Sequence, residues 1–152
     1  MAKVKDYDMP DDLYYHKDFC WVKIEADDLV RVGMIDFAQH EAGDITYIDL
    51  PFEGDEIQVN DTCGKIQSAK WIGKLVAPMS GQIAEVNYDL ESDATLINSD
   101  CYGKGWIFTL APSNKDEEVA SLMKGQDALA WLEKEIQDLE KGKAEGRDYA
   151  KE

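Results

Sequence analysis

Lys70 stands at the polar centre of the run Cys63 to Pro78, between the apolar flanks Ile66 and Leu75-Val76. That pattern predicts a β-hairpin with the lysine at its apex, where a stiff base holds an amine clear of the surface. An amide to such an amine removes its charge and appends a long flexible acyl chain, as a swinging prosthetic arm requires. On composition alone, a lysine in a turn is an ordinary solvated side chain. Other reactive types are sparse. Cys20, Cys63 and Cys101 are far apart in the chain and form no CxxC. An odd count with no secretion signal predicts no disulfide framework, so buried or half-buried thiols are expected. Only His16 and His40 accompany them, and no zinc site or other metal site is expected. Both histidines read as surface or hydrogen-bonded groups. There is no GxSxG, P-loop, GxGxxG or HExxH, so no catalytic residue is assigned. The chain reads as a carrier or binding module, not an enzyme.

The elements that position Lys70 are mostly short strands. Cys20 to Ile24 has β-type composition, stops at the acidic turn Asp27-Asp28, and is answered by Leu29 to Met34 as a hairpin. Asp36 to Ala42 predicts a helical turn, with Asp36 as N-cap and Gly43 as terminator. Ile45 to Leu50 is a strand that Pro51 ends. A short strand lies within Gly54 to Asp61, and Gln82 to Val86 alternates as another. Pro78-Met79-Ser80-Gly81 is a turn. Trp106 to Leu110 is the last strand. Many short strands with turns about every eight to twelve residues predict a β-sandwich or flattened barrel. After Pro112 the pattern turns helical. Ser113 caps a first helix with Asp116, Glu117 and Glu118 in its first turn. Gly125 divides it from a second, which lines up Leu129, Leu132, Ile136 and Leu139 beside Trp131. The organisation predicted is an N-terminal extension over 1–14, a β domain over 15–112, C-terminal helices over 113–141 and a charged, fraying tail over 142–152.

Across 152 residues, 32 acids against 16 bases give a net charge of −16. Residues 1–113 hold 21 acids and 9 bases, so the acidity belongs to the β-rich body and not to the tail. Such a surface repels nucleic-acid phosphates and anionic membranes alike. It attracts basic docking faces, in encounters that salt weakens. No apolar run approaches the roughly 18 residues that span a bilayer. No apolar stretch follows Lys3 and Lys5, so no signal peptide is expected and the chain reads as cytoplasmic.

The stretch Gly54-Asp55-Glu56 … Gln67-Ser68-Ala69-Lys70 … Ala77-Pro78-Met79-Ser80-Gly81 resembles the lipoyl-attachment segment of the glycine cleavage system H-protein family. There the segment reads Glu-Ser-Val-Lys-Ala, followed ten positions on by Ser-Pro-x-Ser-Gly, and the spacing from Lys70 to Pro78 matches without a gap. Further matching blocks are Gly33-Met34-Ile35-Asp36-Phe37-Ala38-Gln39, Gly43-Asp44-Ile45, Asp49-Leu50-Pro51 and Asn98-Ser99-Asp100-Cys101-Tyr102-Gly103-Lys104-Gly105-Trp106. The resemblance spans about residues 15–125. It implies a mainly β lipoyl-domain sandwich, of the biotinyl/lipoyl carrier type, with a short internal helix and C-terminal helices. It implies lipoate bound covalently to Lys70, with Gln67, Ser68, Ala69 and Trp71 flanking it for recognition. A biotin carrier is less apt, since Ala69 and Trp71 stand where that family places methionines.

The departures from the family pattern are specific. Gln67 replaces a Glu three residues before the lysine, and Trp71 replaces a small residue just after it. Asp18-Phe19-Cys20-Trp21 stands for Asp-His-Glu-Trp, and Cys101 for the Pro before Tyr-Gly. In glycine cleavage H-proteins a surface cleft shields the carried aminomethyl group, and polar groups near the first strand contribute. The departures fit better the H-like, lipoate-binding carriers of the heterodisulfide-reductase-like sulfur oxidation system. The partners implied are a lipoate ligase or other lipoyl-attachment enzymes, together with the users of the arm. Those users are a heterodisulfide-reductase-like complex or, in the alternative, the glycine cleavage decarboxylase, aminomethyltransferase and dihydrolipoyl dehydrogenase. An unlipoylated scaffold of the same fold is the further alternative.

Overall fold

Alternating β-branched and aromatic side chains pair the strands β4 (Cys20–Ile24) and β5 (Val30–Met34) antiparallel, with Val22 opposite Val32. The computed structural model describes residues 2–25, 28–69 and 71–144, so Asp27 of the expected turn lies outside the described residues. This pair sits inside a six-stranded antiparallel sheet. Its order is β3 (Tyr14–His16), β4, β5, β11 (Phe108–Pro112), β10 (Gly81–Val86) and β7 (Glu56–Ile57). A second sheet has the order β6 (Ile45–Asp49), β8 (Thr62–Ser68) and β9 (Ile72–Val76). A small hairpin, β1 (Ala2–Val4) with β2 (Tyr7–Met9), precedes both.

The two larger sheets share one core. Val22, Val30, Val32, Ile83, Phe108 and Leu110 of the first meet Ile48, Ile66 and Leu75 of the second in a single buried cluster. Each such side chain contributes about 1.5–3 kcal/mol relative to exposure. Trp21 lies flat over Gly33, where any Cβ would overlap the indole, and its Nε1 donates to the Cys101 carbonyl at 2.9 Å. The fold is thus the mainly β sandwich with helices that the sequence predicts.

Several local expectations need correction. Helix α1 (Asp36–Ala42) ends at Gly43 as expected, with φ 78° there, but its N-cap is Ile35 in extended geometry. Asp36 is the first helical residue. Its carboxylate accepts instead from the Asp8 amide at 3.0 Å and from Gln39 Nε2 at 2.7 Å. The last strand runs from Phe108, two residues later than expected, although the Ile107 amide already donates across to the Val32 carbonyl at 2.8 Å. Asn114, not Ser113, precedes α4 (Lys115–Ala120), whose first turn holds the three expected acids. Two short helices, α2 (Asp89–Ser92) and α3 (Leu96–Ser99), fall where no element was expected.

Gly125, at φ 61°, separates α4 from α5 (Gln126–Ala144). Leu132 and Ile136 of the stripe are buried, Leu129 and Leu139 pack half-buried, and Trp131 stacks on Phe19 with centroids 5.4 Å apart. Of the tail expected over 142–152, residues 142–144 continue α5, and those from 145 onward lie outside the described residues. The Tyr102 hydroxyl donates to the Asp8 carbonyl at 2.6 Å and accepts from the Asp36 amide at 3.0 Å, which fastens the small hairpin to the body.

Candidate functional site

Strands β8 and β9 form the hairpin that the sequence predicts. Its ladder pairs Lys65 with Lys74, Ile66 with Gly73 and Gln67 with Ile72. The Ser68 amide donates to the Trp71 carbonyl at 2.8 Å and closes the turn. Gln67, Ser68, Ala69 and Trp71 are therefore brought together at one end of the hairpin. Lys70 itself lies outside the described residues. The turn is anchored on two sides. Ser68 Oγ donates to the Ala42 carbonyl at 2.6 Å, at the end of α1, and Thr46 Oγ1 donates to the Gln67 carbonyl at 3.3 Å. Asn98 holds the neighbouring corner by accepting from the Ile45 amide and donating to Gln39 Oε1 and to the Gly43 carbonyl.

Because successive strand residues face opposite ways, the hairpin has an inner and an outer side. The inner side carries Ile66, Trp71, Gly73 and Leu75. Ile66 and Leu75 are buried, and the half-buried Trp71 ring lies over Gly73. Trp71, the large aromatic that departs from the family pattern, thus folds inward along the ribbon. Beside it opens a cleft of about 600 Å³, bounded across from the hairpin by Phe19, Cys20 and Met34. Its lining is mostly apolar and includes Asp18; Lys65, Ile72 and Lys74, which the strand alternation assigns to the other side of the ribbon, also border it.

Phe19 and Cys20, the two departures on the first strands, both reach this cleft. Phe19 takes a left-handed backbone, φ 67°, in the turn from β3 to β4. Cys20 is buried, and its Sγ lies 3.8 Å from the Val76 carbonyl. Burial pushes its thiol up, with the Asp18 carboxylate adding to the effect. Cys63 Sγ donates to the Leu75 carbonyl at 3.4 Å, and burial pushes its pKa up to about 12. Burial does the same at Cys101, also to about 12. All three are protonated thiols at neutral pH, poor nucleophiles suited to packing. His16 is also fully engaged. Its Nδ1 accepts from the Asp18 amide at 3.1 Å, leaving Nε2 to donate to Asn60 Oδ1 at 2.8 Å. His40 Nδ1 lies 3.3 Å from the Tyr7 hydroxyl.

The motif Pro78-Met79-Ser80-Gly81 serves to tie elements together. Ser80 is buried; its Oγ accepts from the Val59 amide at 2.8 Å, and its amide and hydroxyl both donate to the Glu118 carboxylate at 2.7 Å. Gly81, at φ 157°, lies so close to the Ala111 carbonyl that a Cβ would overlap it. Sequence reasoning missed Glu118 as the partner of this turn, and it missed Gly73 as the seat of Trp71. It also passed over the outer side of the hairpin, though the alternation of Lys65, Gln67, Ile72 and Lys74 with inward residues was a readable signal.

Among the described residues no helix is long and apolar enough to cross a membrane. Residues 13–135 match the family model described as glycine cleavage H-protein. A probable glycine cleavage system H protein of Thermococcus gammatolerans is 41% identical over 133 residues, covering 88% of this chain and 98% of that one. The glycine cleavage system H protein of Oceanobacillus iheyensis is 38% identical over 125 residues, covering 82% of this chain and 98% of its own. The crystal structure of a glycine cleavage system H protein from Mycobacterium marinum superimposes with a TM-score of 0.66 at 32% identity. That alignment covers 74% of this chain and 98% of the other.

Proposed function

The chain belongs to the glycine cleavage H-protein family, whose members are non-catalytic lipoyl carrier subunits, and on that premise we propose that it bears lipoate as an amide on Lys70. The observation that carries this reading is the hairpin closed between Ser68 and Trp71, with Lys70 between them in sequence inside the matched span. The site is chemically suited to the group. The turn is braced by Ser68 on α1, the flanking Ala69 is exposed, and a mostly apolar cleft adjoins the hairpin's inner side.

When attached, the dithiolane supplies a two-electron thiol–disulfide couple whose reduced form can carry an aminomethyl group between enzymes. The chain's own part is to hold the attachment point on a stiff base and to offer shelter. Tethering raises the local concentration of the carried group at each partner. The glycine cleavage role is favoured over the sulfur-oxidation role that the departures suggested, because both relatives and the solved structure bear the glycine cleavage name. Phe19 and Cys20 then change the lining of the cleft without changing the assignment. The partners that follow are a lipoyl-attachment enzyme, the decarboxylase, the aminomethyltransferase and dihydrolipoyl dehydrogenase, in the cytoplasm.

Intact-mass analysis of the chain from its native source tests the arm, with an octanoyl or lipoyl adduct mapping to Lys70 as the expected result. No adduct there would sink the carrier reading. Incubating the lipoylated chain with glycine decarboxylase and labelled glycine tests the pathway. Label retained on the chain supports glycine cleavage, and a lipoylated chain that takes up none would overturn it.

A further inference from the structure

The outer side of the hairpin is unlike the rest of the molecule, and we propose that it is the surface on which the enzyme that acylates Lys70 docks. The inference rests on the reading of Lys70 as the carrier lysine. Across the three-stranded sheet the ladder aligns Tyr47, Gln67 and Ile72 in one outward row directly behind the turn. Tyr47 is 51% exposed and Ile72 60% exposed, an aromatic and an aliphatic group flanking the half-buried Gln67. The next outward row is Asp49, Lys65 and Lys74, all exposed, and among the described residues none of the three makes an ion pair.

The charge here runs against that of the chain. Residues 62–84 contain no acid but hold Lys65, Lys70 and Lys74, in a protein of net charge −16. On the sheet the one acid of these rows stands on β6, and the cations stand on β8 and the edge strand β9. A complementary partner offers an apolar pocket over the turn and carboxylates toward the β9 edge.

Covalent reach identifies the partner. An enzyme that builds an amide on a lysine must bring its active site against the backbone of the turn, because the side chain is short. It therefore meets the Tyr47–Gln67–Ile72 row. Enzymes that act on the far end of the finished arm are not obliged to meet that row. In the step itself, Nζ attacks the carbonyl of an ATP-derived acyl adenylate; the new amide forms, AMP departs with the bonding electrons, and the amine proton passes to solvent. With Gln67 neutral, the positive charges available for recognition on these two rows are Lys65 and Lys74.

The test uses the full-length chain purified without lipoate, a lipoate ligase, ATP and lipoate, with modification followed by intact mass over a range of chain concentrations. The double variants Lys65→Glu/Lys74→Glu and Tyr47→Ala/Ile72→Ala should each raise KM by about tenfold with kcat within about twofold. Lys65→Arg/Lys74→Arg should behave as the unaltered chain. Thermal melts establish that the variants are folded. A second measurement is independent of turnover: the Lys70→Ala chain should inhibit modification competitively, and adding Lys65→Glu/Lys74→Glu should weaken that inhibition about tenfold. Unchanged KM and unchanged inhibition would overturn the docking surface while leaving Lys70 modified. An unaltered chain that accepts no acyl group would instead overturn the carrier reading, and the docking surface with it.

Discussion

The indole of Trp71 lies across Gly73, so that a Cβ at position 73 would overlap the ring. The two residues are next neighbours on the same side of the hairpin, and the glycine supplies the flat seat that lets so large a side chain turn inward beside the proposed attachment turn. Gly73→Ala should therefore displace Trp71 and cost about 1–3 kcal/mol. In the Trp71→Ala background the same change should cost less, and urea unfolding of the four-member cycle measures that difference. Additive costs would show that the seat does not matter.

Glu118 accepts two hydrogen bonds from the buried Ser80. Glu118→Ala leaves the Ser80 amide and hydroxyl without their acceptor, which should cost about 1–3 kcal/mol. Glu118→Gln retains one carbonyl oxygen and should cost less. Denaturant midpoints of the two variants check the order.

The thiols give the stability a dependence on alkaline pH. Burial raises Cys63 and Cys101 from 9.0 to about 12, and it raises Cys20 as well. A group whose folded pKa is raised keeps its proton in the folded state after the unfolded chain has lost it. Its contribution is therefore complete below about pH 9 and falls as pH rises toward 12, by up to about 1.4 kcal/mol per pH unit for each thiol. Urea midpoints between pH 7 and 10.5 should be level and then decline, and Cys63→Ala should make the decline shallower. Thiol titration at pH 7 should be slow for the native chain and should reach three equivalents once it is unfolded.

Lys70→Ala and Lys70→Arg should both lack the adduct, since neither offers a primary amine. Intact mass reads the loss, and reconstituted glycine cleavage with each variant should fall to the level without carrier. Activity equal to that of the unaltered chain would end the carrier proposal.

The elements legible in the sequence were those with a strong local signal. Valines and a tryptophan in alternation gave β4 and β5, and apolar flanks around a polar centre gave the hairpin of β8 and β9. The elements that went unread depend on distant partners. Strands β1 and β2 are three residues each and are held by Tyr102 and Asp36, which no local pattern links to Asp8. Strand β3 is fixed at its centre by paired backbone bonds between Tyr15 and Met123. Asp36 looked like a cap by residue type, but the capping position is taken by Ile35 because Asp36 is drawn to the Asp8 amide. At the candidate site, the blocks around Lys70 and Pro78 were readable from spacing. The Trp71–Gly73 seat and the Glu118–Ser80 bond were not, since each needs the path of the backbone or a helix remote in the chain.

The alternation of the hairpin amounts to a parity rule. On β9 the odd positions, Gly73 and Leu75, continue the side on which Trp71 lies, and the even positions, Ile72 and Lys74, belong to the other. Under the proposed carrier reading, one ribbon of backbone writes two messages in interleaved letters, one addressed to the cargo and one to visiting proteins. The two overlap at the rim, because Lys65, Ile72 and Lys74 also border the cleft, so a change at an even position of β9 is read on both sides.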